Sequence, residues 1–297
     1  MIAVILYFAC AFGIGIFFGD VMNSLLWSNL TVEAAIVLPG ILFALFSGEK
    51  LPQFLGFQKM KVTTILLIIP FTMLSTPLIT LLNLISQFWV ENTATSMMQD
   101  YEIAQMPFWQ AWYVIGLFAP FCEEVACRGV FYRGYEKSWG KFRAMFLSAF
   151  LFALMHMNIN QAVYAFAMGI MAVLLVEATG SLWASVFYHA LINGSQVAIM
   201  YVALSVNPTA YSDATEMINI NDLLMYMVVA YLIITAITLP LAWALLICMS
   251  RNQGRKGILL ALWRDRKVKY KKDNLAVLIL ALTAILCIAF IIWTMIA

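Results

Sequence analysis

A small group of acidic, basic and imidazole side chains lies inside strongly apolar segments of this chain. Glu123, Glu124 and Arg128 share one such segment, and the only two histidines, His156 and His189, occupy two others. An ionisable group at bilayer depth costs roughly 2.5–3.5 kcal/mol on insertion scales, so each of these groups needs a structural or chemical reason to be there. Carboxylates and imidazoles are common general acids and bases. The pattern therefore predicts a catalytic site assembled within a membrane.

The spacing in the acidic segment gives the two glutamates different surroundings. Glu124 and Arg128 are four residues apart, so on a helix they share a face and can form an ion pair. Glu123 points about 100° away from Glu124, because each helical residue advances by that angle. One acid is then held by the guanidinium while its neighbour faces a separate cavity, where it is available for proton transfer. The alternative is a charge-balanced packing cluster with no chemical role.

The histidines offer further polar groups on two other helices. His189 and Asn193 are four residues apart and share a helix face. Together they suit a carbonyl oxygen that gains negative charge, or they supply two ligand atoms for a metal. His156, four residues after Phe152, adds a third group from a separate segment. The alternative for each histidine is a satisfied packing residue.

The composition indicates the setting in which these groups must be held. The chain is 64% hydrophobic and 11% charged, with a mean hydropathy of +0.92, whereas a soluble domain is about 25% charged. A spanning helix needs roughly 20 mostly apolar residues. We therefore predict an all-α fold: a polytopic transmembrane helix bundle of about eight or nine spanning helices in one membrane domain, 1–297. Nine candidate segments lie at about 2–19, 30–47, 63–90, 109–132, 142–157, 160–178, 181–206, 222–249 and 274–296.

The placement of lysine and arginine predicts the orientation in the membrane. Except for Arg128, the 17 basic residues lie in three loops, within 50–61, 133–143 and 251–272. Because cytoplasmic loops are enriched in Lys and Arg, we expect a multi-pass protein of the cell membrane with a cytoplasmic N-terminus and an external C-terminus. The first apolar segment has no basic region or small-residue cleavage site before it, so we expect a spanning helix there rather than a signal peptide. The short loops favour a bacterial protein.

The segment 251–272 combines many basic residues with an apolar centre around Trp263. This pattern predicts an interfacial amphipathic helix attracted to anionic lipid. The positive-inside rule already accounts for the charge, so the sequence gives no reason to expect a nucleic-acid partner.

Taken in order, three motifs resemble those of a known family. They are Glu-Glu-x-x-x-Arg from residue 123, Phe-x-x-x-His ending at residue 156, and His-x-x-x-Asn from residue 189. This order is similar to that of the CAAX-prenyl-protease and bacteriocin-processing (CPBP, or Abi) family of intramembrane proteases. The motif core covers about 115–200. The chain lacks His-Glu-x-x-His, so the helix of a conventional zinc protease is excluded.

The resemblance implies an intramembrane endopeptidase that uses an activated water on a membrane-associated or lipidated peptide substrate. It leaves two mechanisms open. In one, Glu123 with His156 acts as general base while His189 and Asn193 stabilise the oxyanion. In the other, Glu123, His156 and His189 hold a divalent metal such as zinc, which lowers the pKa of bound water.

The resemblance favours the first glutamate as the base, and the spacing agrees, since Glu124 lies on the Arg128 face. Two other functions compete with proteolysis. A proton-coupled transporter would use buried Glu and His as a relay, but the segments outside 115–200 contain few polar residues. The other alternative is a catalytically silent chaperone or scaffold for a membrane protein.

Overall fold

The computed structural model describes residues 25–46, 50–90, 106–206, 220–268, 270 and 274–296. Every regular element within those ranges is helical. The helices are α1 (Leu25–Phe46), α2 (Leu51–Leu55), α3 (Val62–Ser86), α4 (108–139), α5 (Lys141–Met155), α6 (Ile159–Thr179), α7 (Leu182–Val206), α8 (Ile220–Asn252), α9 (Ile258–Asp265) and α10 (Asn274–Ile296). The predicted first span, 2–19, lies outside the described residues.

Four of the described helices are long and apolar enough to cross a membrane: α3, α6, α7 and the part of α8 from Leu223 to Asn252. Together with the other apolar helices they confirm the predicted all-α, polytopic fold. The count of eight or nine spans stays a prediction. Helix α5 has 15 residues and is about 22 Å long, shorter than the roughly 30 Å hydrocarbon core of a bilayer. It ends at Met155 rather than at the predicted residue 157, and Met157 has a positive φ of 50°.

Helix α4 is longer than the predicted 109–132 and is irregular at its centre. Its α-helical turns are Phe108–Tyr113, Ala119–Glu124 and Arg133–Trp139, and they alternate with π-helical segments at Val114–Phe118 and Val125–Tyr132. Pro120 lies in the first turn of the central α-helical piece, where its missing N–H interrupts the backbone ladder. π-helical turns are rare and occur often at functional sites. In α4 they flank the turn that carries both glutamates.

At the end of the bundle rich in basic residues, one buried carboxylate connects several helices. Glu177 of α6 accepts a hydrogen bond from the Tyr132 hydroxyl at 2.9 Å and one from Lys141 Nζ at 2.7 Å. The Arg255 guanidinium lies 3.7 Å from the same carboxylate and donates through Nε to the Glu177 carbonyl at 2.8 Å. Glu177 therefore joins α4, α5, α6 and the segment after α8.

The α8 C-terminus meets the start of α3 at the same end of the bundle. The Asn252 side-chain amide donates to the hydroxyls of Thr63 and Thr64, and Lys61 Nζ donates to the Asn252 carbonyl. Further along the chain, the short helix α9 lies in the described part of the predicted amphipathic segment 251–272. Its Leu262 is buried while Leu260 and Trp263 are exposed, so one face packs on the bundle and the other faces outward.

Replacing Glu177 by alanine should lower the free energy of unfolding by about 2 kcal/mol, because hydrogen bonds to a charged group contribute about 1.5–3 kcal/mol. The measurement is unfolding of the purified protein in detergent, followed by tryptophan fluorescence. Glu136→Ala is the matched control, since its 24% exposed carboxylate lies 3.9 Å from the same lysine, Lys141, and a pair of that kind contributes about 0–1 kcal/mol. Equal effects of both substitutions would contradict the connecting role of Glu177.

Candidate active site

The centre of the site is a fully buried ion pair on α4. Arg128 Nη1 donates to Glu124 Oε1 at 2.8 Å, and neither side chain is exposed to solvent. The pair expected from the four-residue spacing is therefore present. A buried ion pair needs further hydrogen bonds to offset the loss of hydration. Ser185 and His189 of α7 supply such bonds to Glu124, whereas Arg128 Nε and Nη2 make none among the described residues.

His189 of α7 lies between the two glutamates. Its Nδ1 is 3.0 Å from Glu124 Oε1 and its Nε2 is 3.5 Å from Glu123 Oε2. Because Arg128 holds Glu124 as a carboxylate, which only accepts hydrogen bonds, we assign the imidazole proton to Nδ1. In the neutral imidazole the Nε2 lone pair then faces Glu123. Two acceptors face each other there, an arrangement that favours a proton shared between them.

Glu123 differs from Glu124 in its exposure. Its side chain is 17% exposed, whereas those of Glu124 and His189 are 0% and 2% exposed. Glu123 is thus the acid of the pair that a water molecule or a substrate can reach, and Glu124 is the acid that orients the imidazole.

The Phe152 ring connects α5 to this cluster. The Arg128 guanidinium lies over the ring, 4.5 Å from its centroid, in a cation–π geometry. The imidazoles of His189 and His156 meet the same ring edge-on, at centroid distances of 5.6 and 4.9 Å. The phenylalanine of the second motif therefore touches a residue from each of the three motifs.

His156 lies where α5 ends and does not take the position expected for it. Its Nδ1 donates to the Phe152 carbonyl at 2.9 Å, because a carbonyl can only accept; its Nε2 is left as an acceptor. The expected partnership of His156 with Glu123 is absent from the contacts of the described residues, in which His189 is the imidazole beside Glu123. The early end of α5 places His156 at the helix terminus, where its imidazole packs against the Phe152 ring.

Asn193 lies one helical turn beyond His189. Its side-chain amide donates to the Ile115 carbonyl at 3.4 Å, in the first π-helical segment of α4. The backbones of α4 and α7 approach closely at the next position, where a Cβ on Gly116 would lie 3.0 Å from the Gly194 Cα. The two glycines therefore let α7 come close enough for His189 to reach Glu124.

The metal site predicted for Glu123, His156 and His189 stays a prediction. Within the described ranges, no group of three or more His, Cys, Asp or Glu side chains is placed to hold a metal ion. His189 lies 3.5 Å from Glu123, whereas the contacts of His156 among the described residues are with Phe152. We therefore derive no reaction step through a metal.

Sequence reasoning missed one acid of the site, Glu33 of α1. This carboxyl group is 7% exposed, interacts electrostatically with Glu123, and has no hydrogen-bond partner for its Oε2 within the described part of the chain. The signal was present, because Glu33 is an acid inside the predicted span 30–47 and carries the same insertion cost as the histidines. The site therefore contains three carboxyl groups rather than two.

The fold and the site together define an integral membrane protein with a cluster of acidic, imidazole and guanidinium groups inside its helical bundle. Residues 105–195 match the family model described as type II CAAX prenyl endopeptidase Rce1-like. The matched range contains all three motifs and confirms the family resemblance drawn from them. It implies a protease of the CAAX type in general. Comparisons with curated proteins and with solved structures found no match.

Replacing Arg128 by methionine should lower the free energy of unfolding by about 3–5 kcal/mol, because it leaves the Glu124 carboxylate buried without its cation. The double variant Glu124→Gln/Arg128→Met should recover much of that loss. The measurement is a double-mutant cycle on unfolding in detergent. Lys137→Met, at an exposed position of the same helix, is the control and should change stability by less than about 0.5 kcal/mol. Additive effects in the cycle would show that the pair contributes no coupling.

Proposed function

We propose that the protein is an intramembrane endopeptidase that hydrolyses a peptide bond in a membrane-associated or lipidated substrate, with Glu123 as the general base. The observation that carries this proposal is the asymmetry of the acidic pair. Glu124 is buried and held by Arg128, while the accessible Glu123 carboxylate faces His189 Nε2 at 3.5 Å. A carboxylate with an imidazole acceptor beside it is suited to take up a proton.

In the proposed reaction a water molecule attacks the carbonyl carbon of the scissile bond and gives a proton to Glu123. Protonated Glu123 then donates a hydrogen bond to His189 Nε2, which stabilises the acid form. Its proton passes to the amide nitrogen as the C–N bond breaks and the amine leaves. Glu124 and Arg128 act as positioning residues. They hold His189 in the tautomer whose lone pair faces Glu123.

We propose Asn193 as the donor to the oxygen that gains charge. Its side-chain amide has a second N–H besides the one directed at Ile115. His189 donates to the oxyanion only if it becomes an imidazolium, because its neutral form already uses its single N–H toward Glu124. Of the two oxyanion donors expected from the sequence, Asn193 alone can donate while His189 is neutral. His156 is proposed to contribute its Nε2 to the site as a hydrogen-bond acceptor.

The setting proposed for the enzyme is the cell membrane, with a cytoplasmic N-terminus and an external C-terminus. Basic side chains of the three charged loops meet at one end of the described bundle: Lys61 at the α8 C-terminus, and Lys141 and Arg255 at Glu177. The positive-inside rule would place that end in the cytoplasm. We propose that the basic segment 251–272 rests there on anionic lipid.

Glu123→Gln should reduce cleavage of a lipidated peptide library by at least about 100-fold, since general base catalysis contributes 10²–10⁴-fold. The change keeps the size of the side chain but removes its basicity. The measurement is product formation by the purified protein, with thermal unfolding as a check on folding. Glu136→Gln is the control and should cleave as the wild type does, because Glu136 lies at the end of α4 away from the site. Unchanged cleavage by Glu123→Gln would refute the role of Glu123.

Chelation distinguishes the two mechanisms that the resemblance leaves open. If Glu123 acts on water without a metal, we expect cleavage to persist after incubation with EDTA or phenanthroline and dialysis. The metal alternative instead predicts loss of cleavage and its recovery on addition of Zn²⁺, with Glu123, His156 and His189 as the ligands. In that case the two histidines would have to approach each other in the metal-bound state, and His156→Ala should abolish zinc retention as well as activity.

A further inference from the structure

A cavity lies at the basic end of the bundle. It has a volume of about 590 Å³ and is bounded by α5, α6, α8 and α9, within the range of roughly 300–1,000 Å³ typical of small-molecule sites. Its walls are mainly apolar, and Phe146, Trp243 and Leu260 of the lining are exposed at 40%, 46% and 52%. The cavity therefore opens at the outer surface of the bundle.

Two positively charged side chains line this cavity. Arg251 and Lys256 belong to its lining, and both side chains are exposed. Neither forms an ion pair with an acid among the residues that the structure describes. The nearby acid of α9, Asp265, is already used: it accepts hydrogen bonds from the Phe142 amide and the Tyr270 hydroxyl. The cavity thus combines an apolar interior with unneutralised positive charge.

The position of the cavity along α8 matches the edge of a bilayer. Before the cavity, α8 presents exposed apolar side chains such as Ile233, Ile237 and Leu241, which suit contact with lipid chains. After it, α8 ends in the basic segment that begins at Arg251. Trp243, about two turns before Arg251, is the type of residue that concentrates at membrane interfaces.

We propose that this cavity is a binding site for an anionic phospholipid, with an acyl chain against Phe146, Trp243, Ile247 and Leu260 and the headgroup phosphate on Arg251 and Lys256. The occupant follows from charge complementarity together with the apolar walls. A free phosphate would leave the walls unused, and a zwitterionic lipid would leave the two cations without net compensation. The site is separate from the proposed catalytic cluster and does not depend on proteolysis; it rests on the proposal that the segment 251–272 meets anionic lipid.

The test is native mass spectrometry of the purified full chain in detergent, titrated with phosphatidylglycerol or phosphatidylcholine. The wild type should retain one phosphatidylglycerol in preference to phosphatidylcholine. Each basic residue near an anionic lipid contributes roughly five-fold in binding, so Arg251→Gln/Lys256→Gln should weaken retention about 25-fold. The control Lys50→Gln/Lys59→Gln removes the same charge from exposed positions elsewhere at this end and should leave retention unchanged.

Two further arms examine the apolar part of the site. Ile247→Trp narrows the cavity without changing its charge and should also weaken phosphatidylglycerol retention, and glycerol phosphate alone should not compete. Equal weakening by the control pair would mean general attraction to negative charge and would overturn the proposal. Equal retention of phosphatidylcholine by the wild type, unchanged binding in Ile247→Trp, or competition by glycerol phosphate would overturn it as well. Tryptophan fluorescence unfolding verifies that each variant is folded.

Discussion

The buried ion pair between Glu124 and Arg128 is the constraint on which the rest of the site depends. Neither charge tolerates an apolar environment alone, so the two must stay together. Three neighbouring helices, α5, α6 and α7, contact the pair. Phe152 covers the guanidinium from α5. Gly169 lets α6 approach α5 and the guanidinium, since a Cβ there would lie 2.9 Å from the Ala149 Cα and 3.1 Å from Arg128 Nη2. His189 completes the pair from α7. The contacts that fix the Glu124–Arg128 pair also fix the position of Glu123, the accessible acid next to Glu124.

Much of this could be predicted from local sequence. The four-residue spacing that pairs Glu124 with Arg128 is a property of any helix, and the composition alone requires a membrane protein. The cost of placing charged groups in a membrane indicated which segments form the site. Applied without exception, the same argument would also have selected Glu33, because an acid in an apolar run is as costly as a histidine.

Tertiary contacts account for what the sequence did not reveal. Whether His156 or His189 meets Glu123 depends on where α5 ends and on how far α7 approaches α4, and neither follows from spacing within one helix. The approach of α7 depends on Gly116 and Gly194 meeting across the interface. Likewise, Glu33 reaches the site only because α1 packs beside the turn that carries the acidic pair. Which residues lie beside Glu123 is therefore decided by the packing of helices that are distant in the sequence.

The π-helical segment Val125–Tyr132 separates the two glutamates from Tyr132, which donates to Glu177. A π-helical turn holds more residues than an α-helical turn. Removal of one residue from this segment is therefore absorbed by a change to α-helix, and the two parts of α4 turn by less than the roughly 100° that one residue contributes to a regular helix. All eight residues of the segment are buried, Arg128 among them. The segment is thus strict in residue type and tolerant of a one-residue change in length.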